Sequence, residues 1–246
     1  MPLRIERRDH VALLTLDDEA RRNALTRELV DEIIQAFDDL EADADVGAVV
    51  ITGAGSVFCA GGDTAALTHY ASAEATDEER AEIAHVYEGF LRVYRSPLAT
   101  IAAINGPAVG AGLNLALACD LRLVGASARL DARFLRIGLH PGGGHLWLLE
   151  RAVGPETAAA ITLFGIALDA DAAAARGLAW SAHTDEYLID DAIALAARAA
   201  SIPRALAARA KDSLRLAPWQ PDFDAAVRTE LEHQTWSFTQ GWFPPR

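Results

Sequence analysis

Between Ser96 and Cys119 the chain runs for 24 residues without a charge. A stretch that long could cross a bilayer as one helix. Asn105, Gly106 and Pro107 interrupt it at its middle, however, and Asn114 stands near its far end. A buried strand, a turn and a buried helix accommodate the same residues without a membrane. The strand is "ATIAAIN" (99–105), and "GPAVGAGLN" (106–114) turns into the helix. Small residues at that turn let other groups come close to the backbone, so the first N–H groups of the helix can meet the polar head of a ligand.

The pattern has an earlier counterpart. "VGAVVITG" (46–53) is a short, continuous apolar run, as in a strand covered on both faces, and it leads into "GAGSVFCAGGD" (53–63). Residues 26–41 place Leu29, Ile33, Phe37 and Leu40 at helical spacing with acids on the other face. "HVALLTL" (10–16) is a β-rich run closing at the polar "DDEARRNA". A helix followed by a buried strand implies a crossover and a parallel sheet, hence an α/β fold. A helix is expected at about 78–94 and a further strand at "DLRLVGA" (120–126), while the small, acidic segment 64–80 is expected to be a mobile insert. From 143 onward the pattern is helical, punctuated at Gly154-Pro155, Gly177, Pro203 and Pro218, with amphipathic helices over 156–176 and 190–212.

The 246 residues, half of them hydrophobic, suit one main domain. A net charge of −13 argues against nucleic-acid or anionic-membrane surfaces. Cys59 and Cys119 are too few and too far apart for a metal site and read as free thiols in a reducing compartment. The opening "MPLRIERRDH" has no apolar core of a signal peptide, so a cytoplasmic protein is expected.

Two glycine loops at one edge of a parallel sheet can each aim a backbone N–H at a common point. Two such donors about 3 Å from a carbonyl oxygen form an oxyanion hole, each contributing ~3–4 kcal/mol to charge developing there. A dinucleotide fingerprint fits poorly, because Gly53-x-Gly55 is followed by Phe58 where the third glycine belongs.

"VVITGAGSVFCAGGD", "PLATIAAINGPAVGAGLNLALACDLRLV" and "GLHPGGGHLWLLERAVG" resemble, in order, the signature blocks of the crotonase superfamily, the enoyl-CoA hydratase/isomerase family. "RRNALT" (21–26) resembles its N-terminal coenzyme-A loop. The resemblance implies a crotonase-like spiral of β-β-α units over 1–190 and a helical C-terminal region over 191–246 that assembles a homotrimer or a dimer of trimers. The implied ligand is an acyl-CoA thioester, with no cofactor beyond its coenzyme A and no metal. Gly62 and Ala111 are the expected oxyanion donors. Arg22, Asn23, Ala24, Leu25, Ala60, Asp63, Thr64 and Ala65 are expected to line the coenzyme-A and thioester end, with Arg21 and Arg22 toward the phosphates. Trp236, Trp242 and Phe243 are expected to cap the acyl pocket.

The family's hydratases carry two glutamates, and the matching positions here are Asn114 and Phe134. Adding water to a conjugated double bond needs groups that move its proton. Asn114 can hold a water but not take its proton, and Phe134, which would then only line the acyl site, can do neither. His140 and His145 are the candidate bases, with turn or helix capping as the alternative for each. Asp131 is the nearest acid, three residues from Phe134 and so directed to the other face of a strand. His69 and Tyr70 could close over a ligand. The expectation is enolate-type chemistry on an acyl-CoA thioester, with a non-catalytic acyl-CoA binder as the alternative.

Overall fold

The first strand is one that the hydrophobic pattern does not reveal. Leu3–Arg8 (β1, "LRIERR") buries only Leu3 and pairs antiparallel with Val11–Leu16 (β2) across a turn in which Asp9 takes φ 53°. Its charged residues suit the outer edge of a sheet, where strands need protection from further pairing. The computed structural model describes residues 1–62 and 76–242. In it β2 continues into a parallel sheet with Ala48–Gly53 (β3), Ala99–Ile104 (β4), Leu121–Gly125 (β6) and Ser181–His183 (β9), ordered β1-β2-β3-β4-β6-β9.

Parallel neighbours require crossovers. Arg27–Ala42 (α1) joins β2 to β3, and Asp77–Arg95 (α2) leads into β4. Thr26 caps α1 by accepting from Leu29 N, and Thr76 with Glu79 forms a capping box on α2. Between β4 and β6 the chain makes the short strand Pro107–Val109 (β5) and the helix Ala111–Ala118 (α3). A smaller sheet joins β5 to Arg129–Asp131 (β7) and Leu168–Asp169 (β8), and an isolated parallel bridge pairs Cys59 with Ala108. Successive turns therefore step from the main sheet to the smaller one and then to a helix, the expected β-β-α spiral.

Alternation along the strands divides the core in two. Leu14, Leu16, Val49, Ile51, Ala102 and Ile104 face α1, α2 and α3. Val11, Leu13, Ala48, Val50, Ile101 and Leu123 face Leu188, Ala192 and Ala196 of Leu188–Ala200 (α6). The expected division at 190 thus cuts a helix that covers the sheet, and the core runs on through Ala200. The helix expected over 156–176 is also corrected. His145–Thr162 (α4), broken at Gly154 (φ 75°) before Pro155, ends before Gly165, and Ala170–Ala175 (α5) is a separate helix after β8. Pro203 likewise splits the stretch 190–212 into α6 and Arg204–Leu216 (α7), which precedes Phe223–Phe238 (α8). Buried Lys211 fastens α7 to the core through Leu98 O and a 2.6 Å ion pair with Asp120. No helix among the described residues is long and apolar enough to cross a membrane.

Candidate active site

Three segments meet beyond the ends of β3 and β4. Asn23, in the left-handed region at φ 55° and fully buried, donates its side-chain amide to Ala54 O at 3.0 Å and Val57 O at 2.8 Å. Its Oδ1 accepts from Asp18 N at 3.0 Å. That amide fastens the N-terminal loop to the first glycine loop, so of Asn23 only the backbone is left to face a ligand, as the expected Asn23–Leu25 loop would. Ala24 and Leu25 are buried as well, while Arg22 is exposed and its carbonyl accepts from Ala60 N at 3.0 Å. Arg21 pairs with Asp18 at 3.0 Å.

The two glycine loops pack backbone to backbone. Phe58 N and Cys59 N approach Pro107 O at 3.1 and 3.2 Å, and Val109 N donates to Cys59 O at 3.0 Å. A Cβ on Gly61 would stand 2.6 Å from Val109 O and 3.4 Å from Ala111 N, and one on Gly112 only 2.2 Å from Cys59 O. Glycine at 61 and 112 permits this approach. Gly62 differs, since a Cβ there meets no described atom within 4 Å. Leu25 N donates to Gly61 O at 2.8 Å in a parallel bridge with Gly62. Such a bridge uses the neighbours of the bridged residue, which leaves the Gly62 N–H out of it. Ala111 is the first residue of α3, whose leading N–H groups have no carbonyl within the helix. The structure therefore brings the Gly62 and Ala111 segments together, with no described residue within 4 Å of a Cβ placed on Gly62.

One turn into α3, Asn114 is buried at 1% exposure. Its Nδ2 donates to Gly142 O at 3.0 Å, which turns Oδ1 toward His145 Nδ1 at 2.6 Å. Oδ1 can only accept, so Nδ1 carries the imidazole proton and Nε2 is left with a lone pair. Nε2 is buried and has no hydrogen-bond partner among the described residues. Burial lowers the His145 pKa to about 4, so the ring is neutral at neutral pH. Gly143 (φ 65°) and Gly144 (φ 81°) turn the chain so that His145 starts α4 pointing inward, and its side chain does not cap the helix.

Phe134 lies against this pair, its ring centroid 5.0 Å from that of His145. Its Cζ comes 3.7 Å from the Cβ position of Gly110. Asp131 is committed elsewhere: its buried carboxylate pairs with Arg133 at 3.1 Å and with Arg136. His140 is exposed, with Nδ1 2.7 Å from Pro141 O, and no described contact joins it to Asn114 or Ala111. Trp236 and Trp242 pack on each other at 5.5 Å, with Arg209 over Trp236, and make no described contact with Phe134 or His145. Asp63, Thr64, Ala65, His69, Tyr70 and Phe243, with most of the expected insert, lie outside the described residues.

Sequence reading missed Tyr87. Its hydroxyl comes within 2.1 Å of a Cβ placed on Gly142, and its ring also borders Gly143. The helical spacing of Tyr87, Phe90 and Tyr94 signals only a packed face, and nothing in that pattern singles out one aromatic. Among the described residues, no group of three His, Cys, Asp or Glu side chains could hold a metal ion.

Comparison with known proteins gives the site its context. The Enoyl-CoA hydratase/isomerase family model matches residues 6–238. A probable enoyl-CoA hydratase of Mycobacterium tuberculosis is 45% identical over 242 residues, covering 96% of this chain and 92% of that protein. A probable enoyl-CoA hydratase/isomerase from Mycobacterium abscessus superposes with a TM-score of 0.88 at 32% identity, over 96% of this chain and 90% of that one. A Thermobifida fusca protein solved in complex with CoA has a TM-score of 0.85 at 30% identity, over 97% and 93% of the two chains.

Proposed function

The chain belongs to the enoyl-CoA hydratase/isomerase family, and on that premise we propose that it binds an acyl-CoA thioester with the carbonyl oxygen between the N–H groups of Gly62 and Ala111. The observation that carries this reading is the close approach of the two glycine loops, with Gly62 unobstructed by any described residue and Ala111 leading α3. Donors fixed by the backbone need no reorganisation as charge moves onto the oxygen, and the aligned peptides of α3 add to the field. The carbon beside the carbonyl becomes more acidic, so the chemistry available is proton removal to an enolate followed by reprotonation or loss of a group.

Ordinary hydration is disfavoured. Asn114 and Phe134 stand where the family's hydratases carry carboxylates, and the Asp131 carboxylate is held by Arg133 and Arg136. The same observation favours a second reading, a protein that binds acyl-CoA without turning it over. Exposed Leu214, Trp219, Phe223 and Leu231 on the C-terminal region support a homotrimer or a dimer of trimers.

Calorimetry with acetoacetyl-CoA and with S-ethyl-CoA, a thioether that lacks the carbonyl, tests the carbonyl site. The expected result is that the thioester binds at least tenfold more tightly and that Gly62→Pro, which lacks the N–H, removes the difference. Equal affinities would reject the assignment of Gly62 and Ala111. Incubating a panel of acyl-CoA thioesters and following their masses then separates enzyme from binder: loss of carbon dioxide, or a same-mass product at a new retention time, marks turnover.

A further inference from the structure

We propose that His145, oriented by Asn114, is the base that removes a proton from the carbon next to the thioester carbonyl, and that Phe134 covers this base until the acyl group displaces its ring. The inference rests on the thioester reading above and names the acid/base group that it leaves open.

The structure selects His145 over the other candidates by what surrounds each. Asp131 is neutralised by two arginines, and His140 is an exposed turn residue tied to its neighbour's carbonyl. Of the three side chains, it is that of His145 that hydrogen-bonds to α3, through Asn114, one turn from Ala111. Both ends of the Asn114 amide serve the arrangement, since Gly142 O fixes Nδ2 and thereby fixes which ring nitrogen carries the proton. The consequence is a bare Nε2 lone pair sealed in the interior.

A structural role does not explain that lone pair. His145 does not cap α4, whose N-cap is Gly144, and an apolar residue would fill the space without leaving a buried acceptor unmatched. Buried polar atoms without partners are uncommon, and each calls for a physical explanation. The turn 134–137 is built to present Phe134 beside it, running between Arg133 (φ 54°) and Gly138 (φ 77°), with Leu135 and Ile137 exposed on its outer side. Phe134 is the ring stacked edge-on against His145, so rotation of that ring is the movement by which the proposed step exposes Nε2.

In the proposed step the C–H bond adjacent to the carbonyl breaks and its proton moves to Nε2, forming an imidazolium. The electron pair passes into the enolate, whose oxygen is held by the two N–H groups. The Nδ1–H remains on Asn114 Oδ1 throughout. Return of the proton to the same carbon gives exchange with solvent, and return to the conjugated γ-carbon of an unsaturated acyl group gives a shifted double bond. No oxidant or second substrate is required.

The test uses the full-length protein with butanoyl-, 3-butenoyl- and phenylacetyl-CoA in heavy water, read by mass spectrometry. Thioester affinity and the ring's nitrogen resonances, in ¹⁵N-histidine protein, are measured alongside. Wild type should incorporate deuterium into at least one thioester, and His145→Gln and His145→Ala should slow this by about 100-fold or more while thioester Kd changes less than about threefold. The resonances should show Nδ1 protonated and Nε2 bare, and Asn114→Leu should disturb that tautomer and slow exchange together. Exchange that survives in both His145 variants overturns the inference, as does an Nε2–H tautomer. Saturable thioester binding without exchange in wild type also overturns it, in favour of the binder. Absence of thioester binding is a different failure, because it removes the carbonyl reading itself.

Discussion

The side-chain amide of Asn23 donates to Val57 O at 2.8 Å across 34 residues of sequence, and from the same left-handed backbone position it also reaches Ala54 O. One buried residue thereby sets the spacing between the N-terminal loop and the loop that carries Gly62.

Asn23→Ala should therefore do more than remove a contact. It strands buried carbonyls that had a donor and places a Cβ residue without a side-chain bond at φ 55°. A loss of about 3 kcal/mol is expected, or roughly 6–12 °C in Tm for a domain of this size. Asn23→Gly relieves the backbone but not the missing donors, so it should recover only part of that loss. Thermal unfolding of both variants reads this directly. Full recovery by glycine would mean that the backbone conformation, not the amide, is what Asn23 supplies.

The glycines of the two loops should separate into those that build the site and one that faces it. Gly112→Ala forces a Cβ to 2.2 Å from Cys59 O, with backbone on both sides, and should cost about 2–3 kcal/mol in denaturant unfolding. Gly62→Ala adds a methyl group that meets no described atom within 4 Å, at an ordinary φ, and should leave stability within about 0.5 kcal/mol. It should nevertheless weaken acetoacetyl-CoA binding tenfold or more, because the methyl group stands where the ligand approaches. Unchanged affinity in Gly62→Ala would place the ligand elsewhere.

The parts of this molecule that were legible in its sequence are those where one physical cause dominates. Burial on both faces makes β3 and β4 continuous apolar runs, and close backbone approach makes glycine at 61 and 112 conspicuous. β1 was not legible because an edge strand with only Leu3 buried carries no periodic signal. The separate helix α5 was masked by alanines that suit one long helix as well as two short ones, and only Gly165 and the two-residue β8 break them. Within the site, His145 could be named but not chosen over His140. The choice depends on Asn114 and Gly142 O, which are 28 residues apart and meet only in the fold. The fastening role of the Asn23 amide is likewise invisible in the sequence, because its partners are carbonyls of a loop more than 30 residues away.

Asp131 should prove to position Phe134 and not to exchange protons itself. Its carboxylate is buried, while Arg133 and Arg136 are about half exposed, so solvent screening limits the pairs to about 1–2 kcal/mol of stability in total. Asp131→Asn should lose that much and speed amide hydrogen exchange over 133–139, where the turn holding Phe134 against His145 would loosen. Unchanged exchange there would show that β7 and Gly110, whose N–H donates to Asp131 O at 2.9 Å, hold the turn without the carboxylate.

Stability against pH should carry the signature of a histidine kept neutral. The His145 pKa is lowered to about 4 by burial, against about 6.5 in an unfolded chain. Between those values the unfolded state binds the extra proton, so stability rises with pH there. The neutral ring's contribution is thus complete above about pH 6.5 and is lost as pH falls toward 4, by about 3 kcal/mol over the interval. Among the described residues, the other charged or titratable groups on the elements packed about the ring are Tyr87 over Gly142 and the Asp131–Arg133–Arg136 cluster beyond Phe134. His145→Gln leaves these in place, so subtracting its unfolding free energies from those of wild type at each pH isolates the imidazole. The difference should fall steadily from pH 6.5 to 4. Asn114→Asp should flatten or reverse it, since a carboxylate at Nδ1 favours the charged ring and raises its pKa. Parallel curves for wild type and His145→Gln would show that the ring takes up its proton in the folded protein as readily as in the unfolded chain.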